Sequence, residues 1–125
     1  MDPKPYMTPV AICPRFHYAV ELIGRRWTGA ILRALLAGAT RYSDIIHSVP
    51  GLSDRLLSER LRELEAEGIV KRTVFPEMPV RIEYHLTAKG ESLESVLAAV
   101  SEWAETWVDD RTAAARCDEV ERAVS

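Results

Sequence analysis

The residues best able to do chemistry in this chain are its two cysteines and three histidines. Cys13 and Cys117 lie near opposite ends of the sequence, a spacing typical of neither a zinc site nor a disulfide framework. Arg15 and His17 follow Cys13, and positive charge close to a cysteine favours the reactive thiolate. Two interpretations of Cys13 stay open: a reactive thiol, or a small inert side chain buried beside the first helix.

The histidines do not indicate an enzyme or a metal centre. His17, His47 and His85 fall on different predicted elements, and no neighbour would orient any of them as a base. The sequence also has no phosphate-binding glycine loop, nucleophile motif or pair of metal ligands. We therefore expect no catalytic activity, no metal and no cofactor.

A second group of side chains suits the recognition of a nucleic acid. A short helix predicted over residues 41–48 is followed by a Pro-Gly turn, and then by a longer helix that starts at Ser53 and runs to about residue 67. Spacings of three and four residues place three leucines on the inner face of the longer helix, namely Leu57, Leu61 and Leu64. Its opposite face, which would project outward, carries Arg55, Ser58, Glu59 and Arg62.

Two strands joined by a short connector follow this helix. Apolar and polar residues alternate over 69–75 and again over 80–86, which predicts strands with a buried and an exposed face. The connector 76–79 is too short for a crossover, so the strands must form an antiparallel hairpin, and Arg72 and Arg81 flank it. The order of helix, turn, helix and hairpin predicts a mainly α winged helix-turn-helix fold, a shape that grips duplex DNA.

The distribution of charge agrees with a DNA partner, although the net charge is −3. Residues 1–90 hold 13 Lys and Arg against 10 Asp and Glu, whereas residues 91–125 hold 3 against 9. Because attraction between charges is screened over about 8–10 Å at physiological salt, DNA binding needs a basic face and not a basic chain. The excess acid lies in the C-terminal part, away from the predicted recognition helix.

The chain is predicted to consist of one folded domain with short extensions. Residues 1–12 contain three prolines and little periodicity, which indicates a flexible arm. Residues 13–110 would form the domain, and 111–125 an acidic tail. The apolar runs are shorter than a membrane span and no signal-peptide pattern opens the sequence. We therefore expect a cytoplasmic protein without a membrane partner.

The ends of the domain are predicted to join two copies of the chain. Apolar spacing indicates helices near 15–23 and 26–37 and a last helix over 88–108. The apolar stripe of the last helix approaches a heptad pattern and includes two tryptophans, which need a partner surface in so small a domain. The side chains expected at this homodimer interface are Phe16, Val20, Leu93, Val96, Leu97, Val100, Trp103 and Trp107.

Several motifs resemble the HxlR family of winged-helix bacterial transcription regulators. The resemblance covers about residues 13–107 and is specific, because many motifs occur in the family's order and spacing. They are Leu22-Ile23-Gly24-Arg25-Arg26-Trp27, Arg41-Tyr42-Ser43-Asp44-Ile45, Pro50-Gly51-Leu52-Ser53, Leu61-Arg62-Glu63-Leu64-Glu65, Pro76-Glu77-Met78-Pro79, Val80-Arg81-Ile82-Glu83-Tyr84, Leu86-Thr87-Ala88-Lys89-Gly90 and Trp103. Arg25-Arg26 and Tyr42 depart from the residues that are most frequent in the family.

This resemblance implies a homodimer that binds a two-fold-related DNA operator and regulates a nearby gene, with repression expected. It places the longer helix in the major groove, and the dimer would set half-sites about 34 Å apart. By position, contacts to base edges fall to Ser53, Asp54, Arg55, Ser58 and Glu59, with Arg55 expected on guanine. Contacts to phosphate are expected from Arg26, Thr28, Arg62, Arg72 and Arg81.

The resemblance also extends to thiol sensing. Many proteins of this type carry an N-terminal cysteine where Cys13 stands. In some it is alkylated by quinones or aldehydes, or bridges to a C-terminal cysteine of the other subunit. Cys117 lies in a region suited to that partner, although Asp118 and Glu119 beside it disfavour a thiolate. A small electrophile or oxidant would then be the inducer.

Two other functions remain open from the sequence. The domain could bind a protein in place of DNA, since Asp54 and Glu59 share the exposed face with arginines. It could also respond to a small ligand and not through a thiol. A continuous positive surface would favour DNA, whereas interruption by carboxylates would favour a protein partner. The arginines that decide this are Arg26, Arg55, Arg62, Arg72 and Arg81.

Overall fold

Helices and one β-hairpin make up the part of the chain that the structure describes. The structure is a computed structural model, and it describes residues 13–124, with side chains as far as Cys117. The mainly α fold with a β-hairpin wing is confirmed, whereas the arm predicted over 1–12 lies outside the described residues. The elements in chain order are α1 (Pro14–Ile23), α2 (Thr28–Leu36), α3 (Tyr42–Ser48), α4 (Asp54–Ala66), β1 (Val70–Phe75), β2 (Arg81–Leu86), α5 (Ala88–Glu91), α6 (Glu94–Trp107) and α7 (Asp110–Val124).

The hydrophobic core lies between α2, α3 and α4. Ile31 of α2 and Ile45 of α3 are fully buried within it. The leucines predicted for the inner face of α4, Leu57, Leu61 and Leu64, are buried in the same core, which confirms the helical face indicated by their spacing. Because the core holds this face, the opposite face of α4 is turned to solvent.

Local signals set where the helices begin and end. The Ser53 hydroxyl caps α4 by accepting a hydrogen bond from an amide of the first turn at 3.2 Å. Thr87 caps α5 in the same way through the Gly90 amide, also at 3.2 Å. Gly38 follows α2 and Gly68 follows α4 with φ angles of 107° and 74°, a left-handed region that favours glycine. The start of α4 at Ser53 and its end near residue 67 agree with those predicted.

β1 and β2 form an antiparallel hairpin whose register sets the two faces of the wing. Arg72 pairs with Tyr84 while Arg81 pairs with the last residue of β1, so the two arginines lie on opposite faces. The Tyr84 amide also donates to the Thr40 carbonyl at 2.7 Å, which ties the wing to the loop before α3. The predicted alternation of buried and exposed residues is wrong beyond the base of the wing. Val74, for example, is exposed, because the hairpin extends beyond the hydrophobic core at this point.

The last helix of the domain is interrupted. The sequence predicts one helix over 88–108, but the structure has α5 and α6, separated at Ser92 and Leu93. The Ser92 hydroxyl donates to a carbonyl of α5 at 2.6 Å, and the Leu93 amide donates to the Gly90 carbonyl at 3.1 Å. This tight turn, stabilised by a local side-chain hydrogen bond, replaces a continuous helix.

The C-terminal acidic segment takes a regular conformation. The sequence predicts a tail over 111–125, and the structure places this segment in α7, which is helical as far as Val124. Among the residues that the structure describes, no helix is long and apolar enough to cross a lipid bilayer.

Gly90 leaves no room for a side chain. A Cβ at this buried position would lie 2.3 Å from the Ile69 carbonyl oxygen and 2.9 Å from Cδ2 of Leu86. Gly90→Ala should therefore lower the free energy of unfolding by about 3 kcal/mol, because backbone must move to relieve the contact. Urea unfolding followed by circular dichroism measures this. Gly29→Ala is the matched control: its Cβ would meet nothing within 4 Å, so stability should stay equal or rise by up to about 1 kcal/mol. Equal losses in both variants would contradict the prediction.

Candidate nucleic-acid interface and thiol site

The solvent-facing side of α4 presents charged side chains on a firmly held helix. The Arg55 side chain is 81% exposed, and its Nη1 lies 4.0 Å from Oε1 of Glu59. That distance is at the outer limit of an ion pair, and such exposed pairs contribute little. Arg62 is also exposed, with its Nε 3.4 Å from the Ser58 carbonyl oxygen. Arginines presented in this way can reach base edges or phosphates of a duplex.

The hydroxyl groups predicted to read bases have partners within the chain. Ser53 caps α4. Tyr42 donates its hydroxyl proton to the Asp54 carbonyl at 2.6 Å, so Ser58 is the donor in its 3.1 Å contact with the Tyr42 oxygen. Tyr42 thereby fixes α3 against the first turn of α4, which a phenylalanine could not do. The Asp54 side chain itself is exposed in that first turn, where its charge complements the helix dipole.

The start of α2 buries Thr28, one of the two residues expected to contact phosphate there, whereas the contact expected from Arg26 stays a prediction. Thr28 is only 2% exposed, so the prediction that its side chain contacts phosphate is wrong. The preceding Trp27 has a φ of 75°, and this turn carries the chain into the core. The Thr28 amide donates to the Arg25 carbonyl at 3.1 Å, so it is also engaged. The Arg26 guanidinium carbon lies 5.0 Å from the centroid of the Trp27 ring, a cation–π distance.

Arg81 holds the wing together. Its Nη2 lies 3.2 Å from Oε1 of Glu77 and its Nε 3.3 Å from Oε2 of Glu83. Its guanidinium carbon lies 4.2 Å from the centroid of the Phe75 ring. Two carboxylates therefore compensate the charge of Arg81 within the chain, and its contact with phosphate stays a prediction. Arg72 is exposed on the opposite face of the hairpin, and its contact with phosphate stays a prediction.

Glu83 links this arginine to His85, which lies on the outside of β2 as expected. The His85 ring nitrogen Nε2 and Oε1 of Glu83 are 2.8 Å apart. This hydrogen bond lowers the pKa of the Glu83 carboxyl below its ordinary value, and the charges of Arg81 and Arg41 act in the same direction. Because the pKa of Glu83 is lowered in the folded chain, the network contributes its full stabilisation at pH values above the ordinary pKa range of carboxyl groups. This contribution is lost as the pH falls through the lowered pKa of Glu83.

A network that the sequence analysis did not single out fastens α4 to the turn between α1 and α2. The Glu63 carboxylate accepts from Nη1 of Arg60 at 3.1 Å and lies 3.1 Å from Nη1 of Arg25. Arg60 also donates through Nε to the Arg26 carbonyl at 2.9 Å. The ion pair between Arg60 and Glu63 could have been predicted from their spacing on one helix. Their contacts with the turn between α1 and α2 could not, because spacing along one helix does not indicate what packs beside it.

Both cysteines are free and exposed at the surface of the single chain. Cys13 is the N-cap residue of α1, and its carbonyl accepts a hydrogen bond from the His17 amide at 2.9 Å. The exposure of Cys13 rules out the buried, inert interpretation for one subunit. The His17 ring lies beside Glu21, with Nε2 and Oε1 3.8 Å apart, and its influence on the thiol stays a prediction. Cys117 lies on α7.

Apolar side chains of α1 and α6 remain uncovered in the single chain. Trp103 is 62% and Trp107 is 74% exposed. Phe16, Val20, Val96 and Val100 are exposed as well, and surfaces of this kind mark interaction sites. Leu93 packs against the core. Leu97 is only 8% exposed and belongs to the core of its own chain, so its assignment to an interface between subunits is wrong.

Proteins of known class are similar to this chain in sequence. A sequence model of the HxlR-like helix-turn-helix domain matches residues 22–112. The HTH-type transcriptional regulator YvaP of Bacillus subtilis is 52% identical over 103 residues, which are 82% of this chain and 95% of YvaP. The HTH-type transcriptional regulator YodB of the same organism is 40% identical over 98 residues, which are 78% of this chain and 88% of YodB.

Solved structures share the fold. The reduced form of YodB has a TM-score of 0.71 at 39% identity, covering 79% of this chain and 97% of that one. Diamide-treated and quinone-bound YodB have TM-scores of 0.67 and 0.66. The redox regulator HypR in its oxidised form has a TM-score of 0.71 at 35% identity, covering 78% of this chain and 99% of HypR. Together with the winged helix-turn-helix fold, these similarities show that the chain belongs to the HxlR-like helix-turn-helix family and is a DNA-binding transcriptional regulator.

Proposed function

We propose that this regulator binds a two-fold-related operator as a homodimer and leaves the DNA when Cys13 is oxidised or alkylated. The observation that carries the DNA-binding geometry is the exposed charged face of α4, on a helix whose opposite face is locked into the core. Each subunit would insert α4 into a major groove, with Arg55 on a base edge and Arg72 of the wing on phosphate. A protein seated on a promoter in this way blocks transcription, so we propose repression, in the cytoplasm where the operator lies.

A second copy of the chain is the proposed partner of the apolar surface on α1 and α6. Trp103 and Trp107 lie along α6, and Phe16 and Val20 lie along α1, all of them exposed in one chain. Covering such surface is favourable by about 25 cal/mol per Å². A symmetric pair formed in this way would present two α4 helices to half-sites about 34 Å apart.

The thiol response is supported by the position and exposure of Cys13. The residue stands exposed at the N-terminus of α1, where an oxidant or electrophile in solution can reach its sulfur. The same helix carries Phe16 and Val20 of the proposed subunit interface, so a group added at Cys13 would act next to that interface. YodB, at 40% identity, has been solved in reduced, diamide-treated and quinone-bound forms.

A protein partner is the second candidate function, and one observation favours it. Carboxylates lie beside two of the five arginines that were expected to form a positive surface: Glu59 beside Arg55, and Glu77 and Glu83 beside Arg81. The charge is therefore interrupted within the described chain. Membership of a family of DNA-binding regulators outweighs this observation, and the experiment below separates the two functions.

A gel shift of the purified protein on the DNA upstream of its own gene tests the proposal. With excess competitor DNA present, a specific shift is expected in dithiothreitol, and it should be lost after diamide and restored by dithiothreitol. A specific shift that ignores diamide would contradict the thiol response while retaining DNA binding. No specific shift on this DNA, nor on fragments selected from the genome, would favour a protein partner.

A further inference from the structure

A cavity lies where α1 passes over the junction of α4, β1 and α5. Its volume is about 300 Å³, the lower end of the range for small-molecule sites. Ala19, Leu22 and Ile23 of α1 form one wall, and Ile69 and Leu93 form the other. The cavity is open to solvent along α1, where Ala19 is exposed, and its volume is roughly twice that of a closed apolar cavity of about 150 Å³ that holds benzene. The walls and the volume therefore suit a molecule with a single ring.

The mouth of this cavity is polar, and it already holds a phenol hydroxyl. The Tyr18 hydroxyl donates a hydrogen bond to the Glu67 carboxylate, and both residues line the cavity. The hydrogen bond to Glu67, and then its charge, raise the pKa of Tyr18, so the hydroxyl remains a donor at neutral pH. Lys89 lines the same mouth and donates through Nζ to the Glu67 carbonyl at 2.6 Å.

The two charges at the mouth restrict the chemistry of a ligand. The side-chain acceptor at the mouth is the Glu67 carboxylate, while Lys89 is engaged with the Glu67 carbonyl, so the polar end of a ligand must donate a hydrogen bond. A neutral donor is sufficient, because a hydrogen bond to a charged acceptor is stronger than one between neutral groups. The ligand class that satisfies both the walls and the mouth is an apolar ring with a neutral hydroxyl.

We infer that this cavity is a binding site for a small phenol, with its ring between the aliphatic walls and its hydroxyl donating to Glu67 in place of Tyr18. Tyr18 lies at the edge of the cavity and is itself exposed, so it can turn away into solvent when an external phenol takes its acceptor. The inference does not rest on the thiol response, and its test needs no DNA.

Isothermal titration calorimetry with 4-methylphenol, the analogue of the tyrosine side chain, tests the inference on the reduced protein. One molecule should bind per chain. In Tyr18→Phe, where no internal hydroxyl serves Glu67, toluene should bind about tenfold more weakly than 4-methylphenol, because it has the same ring and methyl group but cannot donate to the carboxylate. Tyr18→Phe should bind 4-methylphenol severalfold more tightly than the native chain, because the internal competitor has lost its hydroxyl. A residue that only held α1 in place would not improve binding when it is removed.

Filling the cavity provides the complementary test. Ala19→Phe should abolish binding of 4-methylphenol, whereas Ala114→Phe, the same change at an exposed position of α7, should leave it unchanged. Circular dichroism verifies that both variants are folded. Absence of saturable binding of 4-methylphenol to Tyr18→Phe would overturn the inference. Equal binding of toluene and 4-methylphenol by Tyr18→Phe would also overturn it, as would undiminished binding by folded Ala19→Phe.

Discussion

Replacing Arg55 with alanine should weaken binding to the operator by about 10- to 100-fold and leave binding to random DNA nearly unchanged. An arginine that makes two hydrogen bonds to a guanine contributes about 1–3 kcal/mol of discrimination against other bases. That free energy corresponds to a change in affinity of about 10- to 100-fold. Arg55 suits that role because its side chain is highly exposed and its contact with Glu59 is long. Fluorescence anisotropy titrations on labelled operator and on a shuffled duplex of equal length measure the two affinities.

Arg72→Ala should behave differently, because a phosphate contact carries no sequence information. Binding to both duplexes should weaken by similar factors, and the slope of log affinity against log salt should become shallower by about one. Arg111→Ala, which removes the same charge from exposed α7, is the matched control and should leave both affinities unchanged. If both variants lowered the affinity for the operator relative to the shuffled duplex by the same factor, the assignment of Arg55 to a base and of Arg72 to phosphate would be wrong.

The recognition helix was predictable because its position depends on periodicity alone. Leu57, Leu61 and Leu64 recur at intervals that only a helix places on one face, and all three are buried as expected. Once that face is fixed, Arg55 must point to solvent whatever the rest of the fold does. The cap at Ser53 is equally local, since it needs only the amides of the next turn.

Side chains whose surroundings come from distant segments were not predictable in this way. Thr28 was expected at the surface because it is polar and opens a helix, but the left-handed turn at Trp27 directs it inward. Arg81 was interpreted by its charge alone. Its pairing with Glu83 could have been read from the sequence, because residues two positions apart on a strand share a face. Its contact with Glu77 could not, because it depends on the conformation of the connector before β2.

The interruption at Ser92 has the same cause at a smaller scale. The apolar spacing over 88–108 fits one helix, and periodicity cannot distinguish a continuous helix from two helices joined by a tight turn. The side-chain hydrogen bond of Ser92 and the close approach of Gly90 to the Ile69 carbonyl decide between them. Leu97 was misassigned for a related reason: it lies on the apolar stripe of α6, and periodicity does not show which part of a stripe packs on the core of its own chain.

Cys13→Ser should abolish the release of operator by both diamide and benzoquinone, with unchanged binding in reducing buffer. The serine hydroxyl has nearly the shape of the thiol but forms neither product. Diamide takes one electron and one proton from each of two thiols, joins the sulfurs and is itself reduced to a hydrazine. Benzoquinone instead adds a single thiolate to a ring carbon, and the ring takes up a proton to become a hydroquinone. Gel shifts before and after each reagent, with recovery in dithiothreitol after diamide, measure the effect.

Cys117→Ser separates these two chemistries. If oxidation joins Cys13 to Cys117 of the partner subunit, this variant should ignore diamide and still leave the operator with benzoquinone, which needs only one thiol. Non-reducing electrophoresis should then show a linked dimer in the diamide-treated native protein and in neither variant. A linked dimer of Cys117→Ser would indicate a bridge between the two Cys13 residues instead. Release of Cys13→Ser from DNA by either reagent would exclude Cys13 as the sensor, because serine can neither form a disulfide nor add to the quinone under these conditions.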